Sequence, residues 1–176
     1  MWNSIIAKFA SSNRVGTYLE FGVFEGYSIN FFARNLNGFD FFGFDSFEGL
    51  EENWYGHPGY EKGTFSLLGV LPKVEDNVVL IKGWFEATVP NFLQGFTQTG
   101  DLIVHLDADT FKPTKFLLEA LKSNLKRGTI IIFDEYYGYP NWRAHEYKAF
   151  QEFVRAGHLC YRYIAVTPMQ VAIEIL

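Results

Sequence analysis

Apolar residues recur along this chain with two periods, and the switches between them mark the elements. Trp2, Ile5, Ile6 and Phe9 stand at helical spacing, which predicts a short amphipathic helix over residues 2–11. TYLEFG, residues 17–22, reads as a first strand punctuated by Gly22 and Gly26, and Ser28 stands where it can cap a helix running to about Leu36. After the Asn37-Gly38 turn, DFFGFD over 40–45 predicts a second strand. The periodicity then fails from Ser46 to Gly69, where Gly, Pro, Trp, Tyr and His gather. An aperiodic stretch of that length is a loop or lid, and such loops are usually functional or mobile. VVLIK over 78–82 gives a third strand with Gly83 just after, and Phe85 to Phe96 a short helix around Pro90.

The stretch 102–135, LIVHLDADTFKPTKFLLEALKSNLKRGTIIIFDE, holds two apolar strands joined by a helix. That helix runs from Thr114 to Leu125, with Phe116, Leu117, Ala120, Leu121 and Leu125 on one face. A strand-helix-strand crossover makes its two strands parallel and brings their carboxyl ends to one edge of a sheet. Beyond the aromatic loop YYGYPNW, residues 136–142, a helix from about Arg143 to Ala156 is ended by Gly157. HLCYRYIAV and QVAIEIL, joined at Thr167-Pro168, are close enough in sequence to pair antiparallel. The expected architecture is α/β: a doubly wound, mostly parallel seven-stranded sheet of the Rossmann-like kind with an antiparallel C-terminal hairpin. No repeat or linker divides residues 1–176, so a single domain is expected.

Composition narrows the function classes. The chain has 176 residues, 48% hydrophobic and 20% charged, in the ordinary range of a globular domain. Aromatic residues make up 19%, and most of those rings must lie in the core. A formal net charge of −5 with no basic block argues against a nucleic-acid surface. The lone Cys160 cannot form an internal disulfide and is expected as a buried structural thiol. With no apolar run of transmembrane length and too short an apolar stretch at the N-terminus for a signal peptide, a cytoplasmic protein without membrane contact is expected.

The acids at the predicted strand ends carry the candidate chemistry. Asp107, Asp109, Asp134 and Glu135 meet at the rim where open α/β sheets bind ligands. Carboxylates crowded without a basic residue repel one another, and a hard divalent cation such as Mg²⁺ relieves them. Helix capping or exposure to solvent explains strand-end acids as well. Upstream, Gly22 and Gly26 let backbone approach a ligand, and Asp45, about 20 residues on, is placed to take the hydroxyls of a ribose. The spacing is G-x-x-x-G where a dinucleotide fingerprint needs G-x-G-x-x-G, and Glu20 would oppose a pyrophosphate. The same carboxylate suits the cationic methionine end of S-adenosylmethionine. An ordinary tight turn and a helix-capping Asp45 remain the bland alternative.

Together these segments carry a resemblance. YLEFGVFEGYS (18–28), FDSFEGL (44–50), KGWFEATVP (82–90), HLDADTFKPTKFLLEAL (105–121) and IIIFDEYYGY (130–139) resemble the class I S-adenosylmethionine-dependent methyltransferases. Within these the chain is similar to the macrocin O-methyltransferase group of metal-dependent sugar O-methyltransferases. The resemblance spans roughly residues 15–150 with its motifs in the family order. It implies that Glu20, Gly22 and the neighbouring Val23, Phe24, Gly26 and Ser28 hold the methionine end. It further implies Asp45 on the ribose with Ser46 and Phe47 beside the adenosine, and Asp107, Asp134 and Glu135 on Mg²⁺. Where the family usually has Asp-Asp-Tyr, this chain has Asp134-Glu135-Tyr136, and its glycine turn departs at Phe24, Glu25 and Tyr27.

The expected activity is transfer of a methyl group to a hydroxyl of a sugar or small polyhydroxylated metabolite. The cofactor is S-adenosylmethionine with Mg²⁺, the partner a small-molecule acceptor, and a homo-oligomer is compatible. Asp107 and Asp109 are the catalytic candidates. Asp109 either receives the acceptor proton or caps the next helix. His105 either supports Asp107 from behind or is a satisfied core histidine. Arg143, His145 and Glu146 either reach the acceptor or form a solvated helix face, and Tyr136, Tyr137, Tyr139 and Trp142 either wall an acceptor pocket or pack in the core. A nicotinamide-dependent oxidoreductase and a non-catalytic nucleoside-binding subunit of the same fold are the alternatives.

Overall fold

The computed structural model describes residues 1–9, 14–56, 59–157 and 159–176. In chain order the elements are α1 (Trp2–Phe9), β1 (Gly16–Phe21), α2 (Tyr27–Asn35), β2 (Phe39–Asp45), β3 (Val78–Lys82) and α3 (Phe85–Gly95), followed by β4 (Asp101–Leu106), α4 (Phe111–Ala120), β5 (Ile130–Phe133), α5 (Glu146–Gly157), β6 (Tyr161–Val166) and β7 (Val171–Ile175). They form one seven-stranded sheet in the order β3-β2-β1-β4-β5-β7-β6. Pairs from β3 to β5 are parallel, whereas β7 runs antiparallel to both β5 and β6. The doubly wound sheet with a C-terminal hairpin expected from the sequence is thus observed.

All six residues of β1 and all four of β5 are buried, as befits central strands covered on both faces. Alternate side chains feed two cores. Leu19, Phe21, Val104 and Leu106 face α3, α4 and α5 through Val89, Leu117 and Phe150. Tyr18, Phe41 and Ile103 face α1 and α2 through Ile5, Phe9, Ile29 and Phe32. The chain leaves β1 toward β2 and β3, then returns to β4 on the other side of β1. That reversal opens a crevice at the carboxyl ends of β1 and β4, the place where such sheets take ligands.

Several boundaries differ from the sequence reading. Helix α1 is described to Phe9, and Ala10 and Ser11 lie outside the described residues. Ser28 sits inside α2, whose N-cap is Gly26 at φ 79°, a left-handed conformation that glycine adopts without a Cβ penalty. Helix α4 starts at Phe111 and ends at Ala120, and Leu121 and Leu125 complete its buried face from the turn that follows. Its N-cap is Thr110, so Asp109 is not the cap. Strand β6 begins at Tyr161, His158 lies outside the described residues, and Cys160 is exposed just before the strand, contrary to the buried thiol expected.

Candidate active site

A cavity of about 270 Å³ opens at the crevice between β1, β2 and β4. Gly22, just past β1, forms its floor. The Gly22 amide donates to the Phe44 carbonyl at 2.9 Å, and the Asp107 amide donates to the Phe21 carbonyl at 2.9 Å, so three strand ends are drawn together there. The approach is close enough that a Cβ on Gly22 would stand 1.8 Å from the Asp107 carbonyl oxygen, and its φ of 93° independently favours glycine. Asp45 ties the same corner. Its Oδ2 accepts the Val23 and Phe24 amides at 2.8 Å each, and its Oδ1 accepts the Phe47 amide at 2.6 Å. A carboxylate has about four acceptor sites, so Asp45 keeps room for one further donor from the cavity.

Of the residues the sequence pointed to, Gly22, Phe24, Asp45, Ser46, Asp107, Asp109, Asp134 and Glu135 all line this cavity. Glu20, Val23, Gly26, Ser28 and Phe47 do not. Val23 and Phe47 point into the core around α2, and Gly26 caps that helix. Glu20 is fully buried, its Oε1 accepting the Ser28 hydroxyl at 2.8 Å and its Oε2 the Tyr18 hydroxyl at 2.8 Å. Its carboxylate therefore answers side chains behind the cavity wall. Ser28 binds Glu20 instead of capping a helix because it lies on the buried face of α2, second in that helix.

The acidic rim does contain a basic group, contrary to the expectation from the sequence. His105 on β4 is completely buried, with Nδ1 3.2 Å from Glu20 Oε2 and 2.8 Å from the Tyr18 hydroxyl, and Nε2 3.1 Å from Asp134 Oδ1. Burial alone would depress the imidazole, but its hydrogen bonds to Asp134 and Glu20 outweigh that and hold its pKa up at about 10. Asp134 Oδ1 also accepts the Gln170 side-chain amide from the turn before β7.

Asp134 is thereby held back from the cluster. Carboxylate oxygens of Asp107, Asp109 and Glu135 lie within 4.8 Å of one another, a spacing that fits three ligands of one hard cation. Asp109 takes the place at the cluster that the sequence reading gave to Asp134, its backbone being left-handed at φ 59°. Burial first, and then the Asp134 and Asp45 carboxylates, push Asp109 up to about 8. Burial and the carboxylates of Asp134 and Asp109 raise Asp107 well above the usual range, and burial with Asp107 and Asp109 does the same to Glu135. Glu135 Oε2 is buried with no hydrogen-bond partner among the described residues. Each of these groups is short of a proton or a cation.

Two groups of residues take places that the sequence reading did not give them. Glu146, at the first turn of α5, is fully buried and accepts the Glu135 amide at 3.0 Å, which straps α5 to the end of β5. Burial first, and then the Asp109 carboxylate, raise it well above the usual range. His145 is buried as well, its Nε2 2.7 Å from the Tyr55 carbonyl, so neither residue belongs to a solvated face, whereas Arg143 is exposed and stacks on Trp142 at 4.0 Å. Gly83 and Trp84 from the loop after β3, and Phe85 and Glu86 from the first turn of α3, also line the cavity. The motif KGWFEATVP contained them, but no spacing in it distinguished a wall residue from the start of α3. Of the four aromatic residues after β5, Tyr136 and Tyr139 are buried, and none of the four lines the cavity.

A model of a methyltransferase-domain family matches residues 19–136, more than half of the chain. No curated protein matches the chain. Among solved structures, the calicheamicin methyltransferase CalS11 is 24% identical with a TM-score of 0.74, the match covering 98% of this chain and 75% of CalS11. An apo structure of CalS11, described as a TDP-rhamnose 3'-O-methyltransferase, is 25% identical at a TM-score of 0.66, with 97% of this chain and 76% of that one covered. The O-methyltransferase NovP is 18% identical with a TM-score of 0.70, covering 96% of this chain and 75% of its own.

Proposed function

The chain belongs to the class I S-adenosylmethionine-dependent methyltransferases of the macrocin O-methyltransferase type, and on that premise we propose that it methylates a hydroxyl of a sugar or other small polyhydroxylated acceptor with the help of Mg²⁺. The observation that carries this reading is the convergence of Asp107, Asp109 and Glu135 on one wall of the cavity whose floor is Gly22. Relatives described as O-methyltransferases, one of them acting on TDP-rhamnose, support the hydroxyl and the sugar. The family match favours a methyltransferase over a nicotinamide-dependent oxidoreductase.

The residues present fit both groups. Bare backbone at Gly22 and Gly83, the remaining acceptor site on Asp45 and the aromatic wall of Phe24, Trp84 and Phe85 suit an adenosine bearing a short cationic chain. Glu20, Val23, Gly26, Ser28 and Phe47 act from behind by fixing the turn and the Asp45 corner. The partnerless Oε2 of Glu135 and the raised Asp107 and Asp109 suit a divalent cation. Bound S-adenosylmethionine supplies an electrophilic methyl on sulfur, and a divalent cation supplies a Lewis acid that lowers the pKa of a chelated hydroxyl.

The chain's own work is alignment and proton handling. Displacement at a methyl carbon needs nucleophile, carbon and leaving sulfur in line, and the rigid ends of β1 and β4 set that geometry. Asp109 is placed to take the acceptor proton on a carboxylate oxygen. Asp134 holds still against His105 and Gln170, which keeps the end of β5 and Glu135 in register.

Calorimetric titration with S-adenosylhomocysteine, with and without Mg²⁺, tests this. Binding is expected in the parent and, more weakly, in Asp107→Ala, with a Mg²⁺ effect in the parent alone. An equal Mg²⁺ response in both proteins would remove Asp107 from the site, and no binding in the parent would remove the cofactor assignment.

A further inference from the structure

The carboxylates of Asp107, Asp109 and Glu135 converge past the point where the sheet can hold them together. The β4–β5 register ends with Leu106 opposite Phe133, and the last backbone hydrogen bond between the two segments among the described residues runs from the Asp134 amide to the Leu106 carbonyl at 2.9 Å. Beyond it the two segments turn to opposite neighbours. The Asp107 amide donates to the Phe21 carbonyl on β1 at 2.9 Å, and the Tyr136 amide donates to the Met169 carbonyl before β7 at 3.0 Å. Repulsion among the three carboxylates pushes the same way. One side chain spans the gap. Glu146, from the first turn of α5, accepts the Glu135 amide on Oε2 at 3.0 Å. The Ala108 amide, between Asp107 and Asp109 in the chain, is near enough to join the Glu135 amide in countering the rise that burial imposes on Glu146. Glu146 does not itself line the cavity.

Resting on the metal-assisted reading above, we infer that Glu146 is a positioning residue: it holds the Ala108 and Glu135 backbones at the spacing at which Asp107, Asp109 and Glu135 present their oxygens to one cation. Its mount is rigid. Helix α5 is packed into the core through Ala149, Phe150 and Phe153, and His145 Nε2, 2.7 Å from the Tyr55 carbonyl, pins the start of that helix to the lid. Asp109 stands at φ 59°, a left-handed conformation that a non-glycine residue keeps only where its surroundings enforce it, and the Ala108 amide just before it is one of the two that Glu146 faces. A side chain wanted only for packing would be apolar here. Oε1 of Glu146 is buried with no hydrogen-bond partner among the described residues, and an unanswered carboxylate oxygen works against the fold.

The test compares the parent with Glu146→Gln and Glu146→Asp. Gln keeps the length and an oxygen for the Glu135 amide but carries no charge, whereas Asp keeps the charge and falls one methylene short. Mn²⁺, which like Mg²⁺ prefers oxygen ligands, is titrated into each protein and its free fraction read from the electron-spin signal. Binding of S-adenosylhomocysteine without metal is measured on the same proteins by calorimetry. Glu146→Gln is expected to bind Mn²⁺ within threefold of the parent and Glu146→Asp at least tenfold more weakly, with S-adenosylhomocysteine binding within threefold in all three. The opposite order of Mn²⁺ affinities would assign the effect to the charge of Glu146 and overturn the inference. Equal Mn²⁺ affinity in the three proteins overturns it too. A Glu146→Asp protein that does not fold, or that loses both ligands to the same degree, reduces Glu146 to a residue of the fold and likewise overturns it. A parent that binds S-adenosylhomocysteine but no Mn²⁺ overturns the metal-assisted reading itself, and this inference with it.

Discussion

At the scale of single residues, the site rests on a contact that has no room for a side chain. A methyl group on Gly22 would meet the Asp107 carbonyl oxygen at 1.8 Å, and the left-handed backbone adds its own penalty. Left-handed strain in a non-glycine residue costs about 1–3 kcal/mol before any clash. Gly22→Ala is therefore expected to lower the melting temperature and to weaken S-adenosylhomocysteine binding more than tenfold. Binding at parental affinity would show that the β1 and β4 ends can part without harm to the site. Gly22, Asp45 and Asp107 were legible in the sequence because strand ends and glycine turns have local signatures. The partnership of His105 with Glu20 and Asp134 was not. It joins residues 85 and 29 positions apart in the chain, and only the parallel register of β1, β4 and β5 brings them together.

At the scale of elements, strands and helices followed from periodicity, and the stretch without periodicity proved to be held by aromatic packing. Trp54 is 4% exposed, with ring centroids 5.4 Å from Tyr139 and 5.5 Å from Tyr60. The Tyr55 carbonyl accepts His145 Nε2 at 2.7 Å and Asn141 Nδ2 at 3.2 Å, so the lid lies on the loop after β5. No period could announce this, since Trp54 and Tyr55 find these partners on the loop after β5 more than 80 positions away. Truncating a buried Trp typically costs about 3–5 kcal/mol. In Trp54→Ala that loss falls on the lid, because lids open locally without unfolding the sheet. Amide exchange should speed up in residues 46–56, 59–69 and 136–145, while β1 and β4 keep their protection. Uniform loss of protection across the sheet would show that the lid is part of the global folding unit.

At the scale of the whole molecule, the doubly wound topology could be read from the order of strand and helix patterns, but its electrostatic consequence could not, because it depends on which acids are buried together. Asp109 is raised from 3.8 to about 8, Asp107, Glu135 and Glu146 shift the same way through burial and mutual repulsion, and His105 is raised from 6.5 to about 10. A group whose pKa is higher folded than unfolded contributes stability that is complete below its unfolded value and is lost as pH climbs through its folded value. For Asp109 that window runs from about 4 to about 8, and for His105 from 6.5 to about 10, so both losses have the same sign. Each proton held by the folded but not the unfolded chain makes a slope of about 1.4 kcal/mol per pH unit. The protein without divalent cation is therefore expected to melt at progressively lower temperature between pH 5 and pH 9. A cation bound by the same carboxylates competes with those protons, so 10 mM Mg²⁺ should raise the melting temperature more at pH 8 than at pH 5.5. Asp109→Asn removes one ionisable member of the cluster and should flatten both the slope and the Mg²⁺ effect. A melting temperature that rises toward pH 9, or a Mg²⁺ shift independent of pH, would mean that these acids ionise freely in the fold and that their crowding is relieved by some other group.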